Sequence, residues 1–141
     1  MQRVATKLIR QCKGMCYQDR LRYLKLPTLS YRRERGDMIE VYKLLTNKYD
    51  REAILNLGLN DCTRTRGNAL KLSTVRARYD RRKYFFGVRV ISVWNSLPDS
   101  VIQADSVSLF KNELDRHWQK EDIFYNYRAK LSGTGVRGMD I

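Results

Sequence analysis

The sequence has little of what catalysis, metal binding and membrane insertion require. Its 141 residues include one histidine and three cysteines, and no apolar run approaches twenty residues, so no transmembrane helix is expected. Catalysis of the Ser-His-Asp or Cys-His type would depend on His117 alone, and the pattern around it is typical of a surface helix. No glycine-rich phosphate loop or paired-aspartate metal motif is present. We therefore predict that the chain is not itself an enzyme and holds no metal or cofactor.

The three cysteines, Cys12, Cys16 and Cys62, are an odd set. Residues 1–14 mix basic residues among the apolar ones and lack the continuous core of a signal peptide. A closed zinc site needs four ligands, and two nearby cysteines without a histidine do not supply them. We predict free thiols in a reducing compartment, which places the protein inside the cell, in the nucleus or the cytoplasm.

Acidic residues are also scarce, with 15 Asp and Glu against 28 Lys and Arg, for a net charge of +13. The excess falls in two blocks, residues 1–35 and 63–95, each with a net charge of +8. A charge of this size repels itself unless a polyanion or an acidic partner neutralises it. Two separated basic blocks predict RNA, DNA or both as partners, and no membrane partner is expected.

The spacing of apolar residues predicts a mainly α fold with four or five helices. The predicted helices cover residues 2–13, 17–25, 28–46, 87–96 and 106–119. Thr28 and Ser106 are suitable N-caps, and Pro27 ends the preceding helix. Residues 87–96 are β-rich in composition, yet their spacing also fits one helix face, and we favour the helix. Gly36 either permits close packing or breaks the third helix.

Two stretches that alternate polar and apolar residues predict a small β-hairpin-like element near residues 69–86. Its strands are residues 69–72 and 75–79, joined by a turn at Ser73 and Thr74. With this element the chain divides into four parts: a basic helical segment at 1–47, a connector at 48–65, a basic and aromatic segment at 66–119, and a flexible, glycine-containing tail at 120–141.

The helical spacing also selects a core. The predicted core residues are Leu8, Leu21, Leu24, Ile39, Tyr42, Leu45, Val90, Trp94, Phe110, Leu114 and Trp118. Trp94, Phe110 and Trp118 lie in apolar, periodic surroundings, which favours core packing over base stacking. Of Phe85 and Phe86, which adjoin the basic run, we expect one to be exposed.

The densest basic run is RARYDRRKYFFGVRVISVWNSLP at residues 76–98, where arginines adjoin aromatic residues. Guanidinium groups bind phosphate, and exposed aromatic faces stack on bases. The predicted backbone contacts are Arg76, Arg78, Arg81, Arg82, Lys83 and Arg89, and the stacking candidates are Tyr79 and Tyr84. A second candidate patch consists of Arg32, Arg33 and Arg35. The alternative interpretation of either run is a solvated charged face without a ligand.

Four segments together resemble a known family: MQRVATKLI, YQDRLRYLKLPTLSYRRERGDMIEVYKLL, TRGNALKL and YDRRKYFFGVRVISVWNSLPDSVIQADSVSLFKNELDRHW. Their order and spacing are similar to the region after the polymerase core in LINE-type (non-LTR) retrotransposon reverse transcriptases of the jockey-like kind. The resemblance covers roughly residues 2–118, and LPTLSYRRERGDMIEVYKLL and FFGVRVISVWNSLP are its distinctive parts.

The activity of that family is RNA-directed DNA synthesis, and its catalytic aspartates lie in a YxDD-type motif. No such motif occurs in this chain, so no catalytic residue carries over. The resemblance implies a fragment without the catalytic core, an accessory segment that holds template RNA or target DNA. The alternatives are a structural fragment that packs on the polymerase core, or a decayed copy without a function of its own.

Overall fold

The computed structural model describes residues 1–46, 48–49, 57–59, 70–74, 79, 82 and 84–131. Within these residues the α-helices are α1 (Gln2–Ala5), α2 (Tyr17–Tyr23), α3 (Leu29–Leu45), α4 (Phe86–Ser96), α5 (Asp99–Ile102) and α6 (Val107–Trp118). Two 3-10 helices cover Arg10–Cys12 and Asp122–Phe124. The predicted mainly α fold class is confirmed.

The predicted N-caps explain why two of the helices begin where they do. The Thr28 hydroxyl accepts a hydrogen bond from the Tyr31 N–H at 3.1 Å, and the Ser106 hydroxyl accepts one from the Leu109 N–H at 3.2 Å. Each bond satisfies a backbone donor that has no partner within the helix. Among the α-helices of the described residues, the sequence analysis missed the short helix α5, which follows Pro98 directly.

The N-terminal segment differs from the prediction of one helix over residues 2–13. Helix α1 ends at Ala5, and the chain is extended at Ile9 before the short 3-10 helix. Because the helical repeat does not continue, Leu8 is 81% exposed. The prediction that Leu8 belongs to the core is therefore wrong, whereas Leu21 is fully buried as predicted.

The core lies where α3 packs against α4 and α6. The Tyr42 and Phe110 rings stack with their centroids 4.3 Å apart, and Trp94 lies 6.1 Å from Phe110. The predicted core residues that are buried in this region are Ile39, Tyr42, Val90, Trp94, Phe110, Leu114 and Trp118. Leu45 is partly buried against them.

Gly36 lies within the continuous helix α3, so it does not break the helix. It is exposed, and a Cβ atom added there would meet no heavy atom within 4 Å. Gly36 therefore does not serve close packing either. Neither structural role considered for this glycine applies.

Within the described residues of the segment 69–86, the predicted β-hairpin is not seen. Its strand at residues 69–72 contributes only an isolated antiparallel bridge between Leu72 and Leu59. Side chains of α4 take the place of a neighbouring strand: the Trp94 indole N–H donates to the Leu70 carbonyl at 2.8 Å. The Asn95 amide accepts from the Leu72 N–H at 2.8 Å and donates to the Leu72 carbonyl at 2.9 Å. Residues 75–78 lie outside the described part of the chain.

Residues 122–131 pack on the core, although the sequence analysis assigned them to a flexible tail. Ile123 and Leu131 belong to the buried cluster. The Thr28 hydroxyl donates to the Ile123 carbonyl at 2.6 Å, and the Thr28 N–H donates to the Phe124 carbonyl at 2.9 Å. Residues 132–141 lie outside the described residues.

Among the described residues, no helix is both long enough and apolar enough to cross a membrane.

Candidate nucleic-acid interface

The structure describes only part of the predicted basic run. Arg76, Arg78, Arg81 and Lys83 lie outside the described residues.

Arg82 is exposed, and the rings of Tyr79 and Tyr84 are 77% and 68% exposed. Phe85 is exposed while Phe86 packs against the core, as expected for this pair. The described residues of the run thus present aromatic surface beside basic side chains.

Arg89, the last predicted contact of this run, is bonded within the fold. Its guanidinium donates two hydrogen bonds to the Asp37 carboxylate, both at 2.9 Å, and a third to the Tyr84 carbonyl at 3.2 Å. The bonds to Asp37 raise the pKa of Arg89 above its ordinary value. Arg89 therefore ties α4 to α3 and holds the end of the basic run against them.

Arg35 is engaged in the same way on the other side of α3. It donates to the two oxygens of Asp115 on α6 at 2.6 and 2.7 Å, and the Tyr31 hydroxyl donates to the same carboxylate at 3.2 Å. The hydrogen bonds from Arg35 hold the pKa of Asp115 below its ordinary value. Burial, assisted by Asp115, raises the pKa of Tyr31 to about 12. This network fixes α3 to α6.

The other two arginines of the second patch line different clefts. Arg32 and Arg33 are both exposed. Arg33 lies 3.7 Å from the Glu34 carboxylate, a loose ion pair. The Arg32 side chain has no hydrogen bond or ion pair to the described residues. Of Arg32, Arg33 and Arg35, Arg32 is thus the one that has no partner among the described residues.

Arg32 lines a cleft of about 770 Å³ between the first half of α3, the end of α6 and the second 3-10 helix. We call it the aromatic cleft. Its walls contain the three rings of Tyr31, Phe124 and Tyr125, the three guanidinium groups of Arg32, Arg35 and Arg116, and the side chains of Pro27, Asp115 and Gln119. Its lining residues thus include three arginines and one carboxylate, and Arg116 is also paired with Glu113.

The rings of the aromatic cleft continue into the core. The centroid of Trp118 lies 6.0 Å from that of Tyr31, Tyr31 lies 4.7 Å from Phe124, and Phe124 lies 4.7 Å from Tyr125. Trp118 and Tyr31 are buried, and Phe124 and Tyr125 are half-buried. The outer rings are therefore supported from behind by buried ones.

A second cleft, of about 340 Å³, lies on the side of α3 that faces α4. We call it the polar cleft, and its charged residues are Arg33, Glu34, Arg89, Arg128 and Lys130. Burial raises the pKa of the Glu34 carboxyl above its ordinary value, while Arg33 opposes the shift. The Arg128 guanidinium lies over the Tyr127 ring, 5.4 Å from its centroid.

Sequence reasoning missed Tyr125 and Arg116 of the aromatic cleft. Arg116 is not among the predicted contacts, and residues 120–141 are predicted to form a flexible tail. The available signal was the cluster FYNY at residues 124–127, which places three aromatic residues within four positions. Such density is unusual for a disordered tail.

Exposed apolar side chains are concentrated in the N-terminal segment. Val4, Leu8, Tyr23 and Leu29 are each more than half exposed, and Leu26 is 38% exposed. The buried cluster of the core begins only at Tyr31. The first 30 residues therefore offer apolar surface that the described part of the core does not cover.

The described residues contain no group of three or more His, Cys, Asp or Glu side chains placed to hold a metal ion. Cys12 and Cys16 are free thiols, buried and exposed respectively. A comparison of the chain with models of known protein families, with curated proteins and with solved structures finds no match. The resemblance to retrotransposon reverse transcriptases therefore stays a prediction.

Proposed function

We propose that this chain is a non-catalytic nucleic-acid-binding accessory segment derived from the RNA-directed DNA polymerase of a LINE-type retrotransposon. Its task is to hold template RNA or target DNA. The observation that carries the proposal is the net charge of +13 together with exposed arginines beside exposed aromatic rings. Arginines in such positions neutralise phosphates and release the counterions of the nucleic acid. The exposed rings supply faces on which bases can stack.

The ion pairs of the fold refine the set of contact residues. Arg35 and Arg89 hold α3 to its neighbours, so they act as positioning residues for the surface. Arg32, Arg33 and Arg82 are exposed and serve as phosphate contacts. The exposed rings of Tyr79 and Tyr84 serve as stacking positions.

The test is fluorescence anisotropy with single-stranded RNA and with duplex DNA across a salt series. The affinity should fall steeply with salt, because each neutralised phosphate contributes about 0.7 to the logarithmic slope for single strands and about 0.9 for duplexes. The triple change of Arg81, Arg82 and Lys83 to Gln should reduce that slope.

The matched control changes Lys7, Arg10 and Lys13 to Gln, which removes the same charge from three exposed residues of the N-terminal segment. An equal loss in both variants would show that net charge alone attracts the nucleic acid and would reject the patch. Absence of salt-dependent binding in the unaltered protein would reject the proposed function.

A second candidate function is packing on a polymerase core, and the exposed apolar side chains of the N-terminal segment favour it. Exposed apolar surface commonly marks protein contacts where it forms a patch. Size-exclusion chromatography at low and high salt separates the two functions. Self-association that persists in high salt would favour apolar contacts, whereas association that salt abolishes would favour charge.

A further inference from the structure

The aromatic cleft combines a guanidinium without a partner and a supported set of rings. Arg32 is exposed and makes no side-chain bond to the described residues, and Tyr125 lines the same cleft. We infer that this cleft binds single-stranded nucleic acid, with an unpaired base against Tyr125 and the adjoining phosphates at Arg32 and Arg116. The inference rests on the proposed function and names its substrate as an unpaired strand.

The aromatic lining of the cleft favours a single strand over a duplex. Its volume of about 770 Å³ lies within the roughly 300–1,000 Å³ typical of ligand sites. The faces of paired bases are covered within a duplex, so an aromatic side chain reaches them only after unpairing. A single strand presents its bases directly, and stacking on aromatic side chains is then tolerant of sequence.

The charges of the cleft suit phosphate even though a carboxylate lines it. The positive charge of Arg35 offsets the negative charge of Asp115, and the Tyr31 hydroxyl donates to the same carboxylate. Arg116 is paired with Glu113 at 2.8 Å, and the Arg116 side chain of this pair is 73% exposed. Such exposed pairs contribute little, so a phosphate can take over the guanidinium.

The rings are also fixed before any ligand arrives. Tyr125 rests against Phe124, which rests against the buried Tyr31. A ring that is already held loses little conformational freedom when a base stacks on it. An acidic peptide would satisfy the arginines but would leave this rigid aromatic surface unused, which is why we favour nucleic acid.

The experiment compares a fluorescein-labelled oligothymidylate with an abasic strand of equal length and with a duplex. The abasic strand carries the same phosphates without bases, so the ratio of the two affinities isolates base stacking. The unaltered protein should bind oligothymidylate about tenfold more tightly than the abasic strand, as expected for one stacked base. It should also prefer the single strand to the duplex.

Tyr125→Leu should abolish the preference for bases while leaving the abasic affinity unchanged. Arg32→Gln should weaken the binding of both the oligothymidylate and the abasic strand. The matched control is Tyr127→Leu, which removes a ring from the polar cleft instead and should leave the ratio of affinities unchanged. An equal fall in that ratio for both tyrosine variants would overturn the inference.

A second measurement does not depend on the variants folding. In NMR titrations of the unaltered protein with oligothymidylate, the Arg32 Nε–H and Tyr125 ring signals should shift first, and shifts confined to other residues would overturn the inference. Binding without any preference for bases would also overturn it while leaving the proposed function intact. Absence of binding to the oligothymidylate, to the abasic strand and to the duplex would reject both. Tighter binding of a labelled polyglutamate peptide at this cleft would overturn the inference alone.

Discussion

Helix α3 is held to α6 on one side and to α4 on the other by arginine–aspartate pairs of the same kind. Arg35 bonds Asp115 toward α6, and Arg89 bonds Asp37 toward α4. The two pairs differ in their surroundings, because the Asp115 side chain is 42% exposed and the Asp37 side chain is 12% exposed. Equal bonding geometry therefore does not imply equal contributions to stability.

The clefts beside these pairs differ in a parallel way. The aromatic cleft, toward α6, has rings in tilted and edge-on contact and an arginine that has no partner among the described residues, whereas the polar cleft has the half-buried Glu34 beside Arg33. Both are rich in positive charge, and in both part of that charge already has a partner: Arg35 and Arg116 in the aromatic cleft, and Arg33 and Arg89 in the polar cleft. Basic composition alone thus does not identify a ligand site, and what distinguishes the aromatic cleft is its three contacting rings.

The largest expected effect separates the two ion pairs. Arg89→Met should lower the free energy of unfolding by about 3 kcal/mol, because it leaves the Asp37 carboxylate buried without a partner. Arg35→Met should cost only about 1 kcal/mol, since Asp115 can be hydrated by solvent. Urea denaturation at neutral pH measures both.

The control for this pair of variants is the double change of Arg89 to Met and Asp37 to Leu, which removes both charges. It should recover much of the stability lost in Arg89→Met. Equal losses in the two single variants would contradict the difference between the two sides.

Gly36→Ala tests whether the two sides share one rigid helix. Gly36 is exposed within α3 and has open space around it, so alanine should raise the free energy of unfolding by about 1 kcal/mol through helix propensity. Thermal unfolding followed by circular dichroism measures the gain. Destabilisation would indicate that α3 bends at this position. The sides toward α6 and toward α4 would then not lie on one straight helix. Gly14→Ala is a contrasting control that should destabilise, because Gly14 has a φ of +83°.

The pH dependence of stability should show how much the more exposed pair, Arg35 with Asp115, contributes. The pKa of Asp115 is lowered in the folded protein, so its contribution is present above the unfolded value of about 3.9 and is lost as the pH falls through the lower, folded value. After allowance for solvent screening, the contribution should be roughly 0.5 kcal/mol. Urea denaturation from pH 7 to pH 2 should show it.

Asp115→Asn is the comparison for this titration, because it cannot lose a charge. The unaltered protein should lose more stability than this variant as the solution becomes acidic. Parallel curves for the two proteins would mean that the Arg35 pair contributes nothing.

The smallest expected effect on stability comes from Glu34, and it is opposite in sign to the effect of Asp115. The pKa of Glu34 is raised by burial, so the folded protein favours its protonated form and is penalised when the pH rises through the folded pKa. Glu34→Gln should therefore stabilise the protein by a few tenths of a kcal/mol at neutral pH. The gain should shrink toward zero at pH 3. A loss of stability at pH 7 would indicate that attraction to Arg33 outweighs burial.

The helices and most of the core could be predicted from the sequence because local patterns determine them. Thr28 and Ser106 begin their helices as expected, and the apolar spacing of α6 buries Phe110, Leu114 and Trp118. Leu8 was mispredicted because the spacing does not reveal that α1 stops at Ala5.

Interactions between distant residues explain the remaining differences. The alternation at Leu70 and Leu72 suits a strand, yet their backbone groups bond to the side chains of Trp94 and Asn95. Nothing local marks these partners. In the same way, the charge pattern identified arginines but not their aspartates, since the pair of Arg35 with Asp115 spans 80 residues. The aromatic cleft forms only when such distant segments meet.

Because Thr28 makes one local and one distant hydrogen bond, its contacts form at different times during synthesis of the chain. Its hydroxyl caps α3 locally and also donates to the Ile123 carbonyl, 95 residues further along the chain. Translation proceeds from the N-terminus, so the local bond can form long before its distant counterpart. A ribosome-bound chain that ends before residue 123 contains every residue of α3, yet it lacks the contact that fixes the first turn of that helix to its final neighbour.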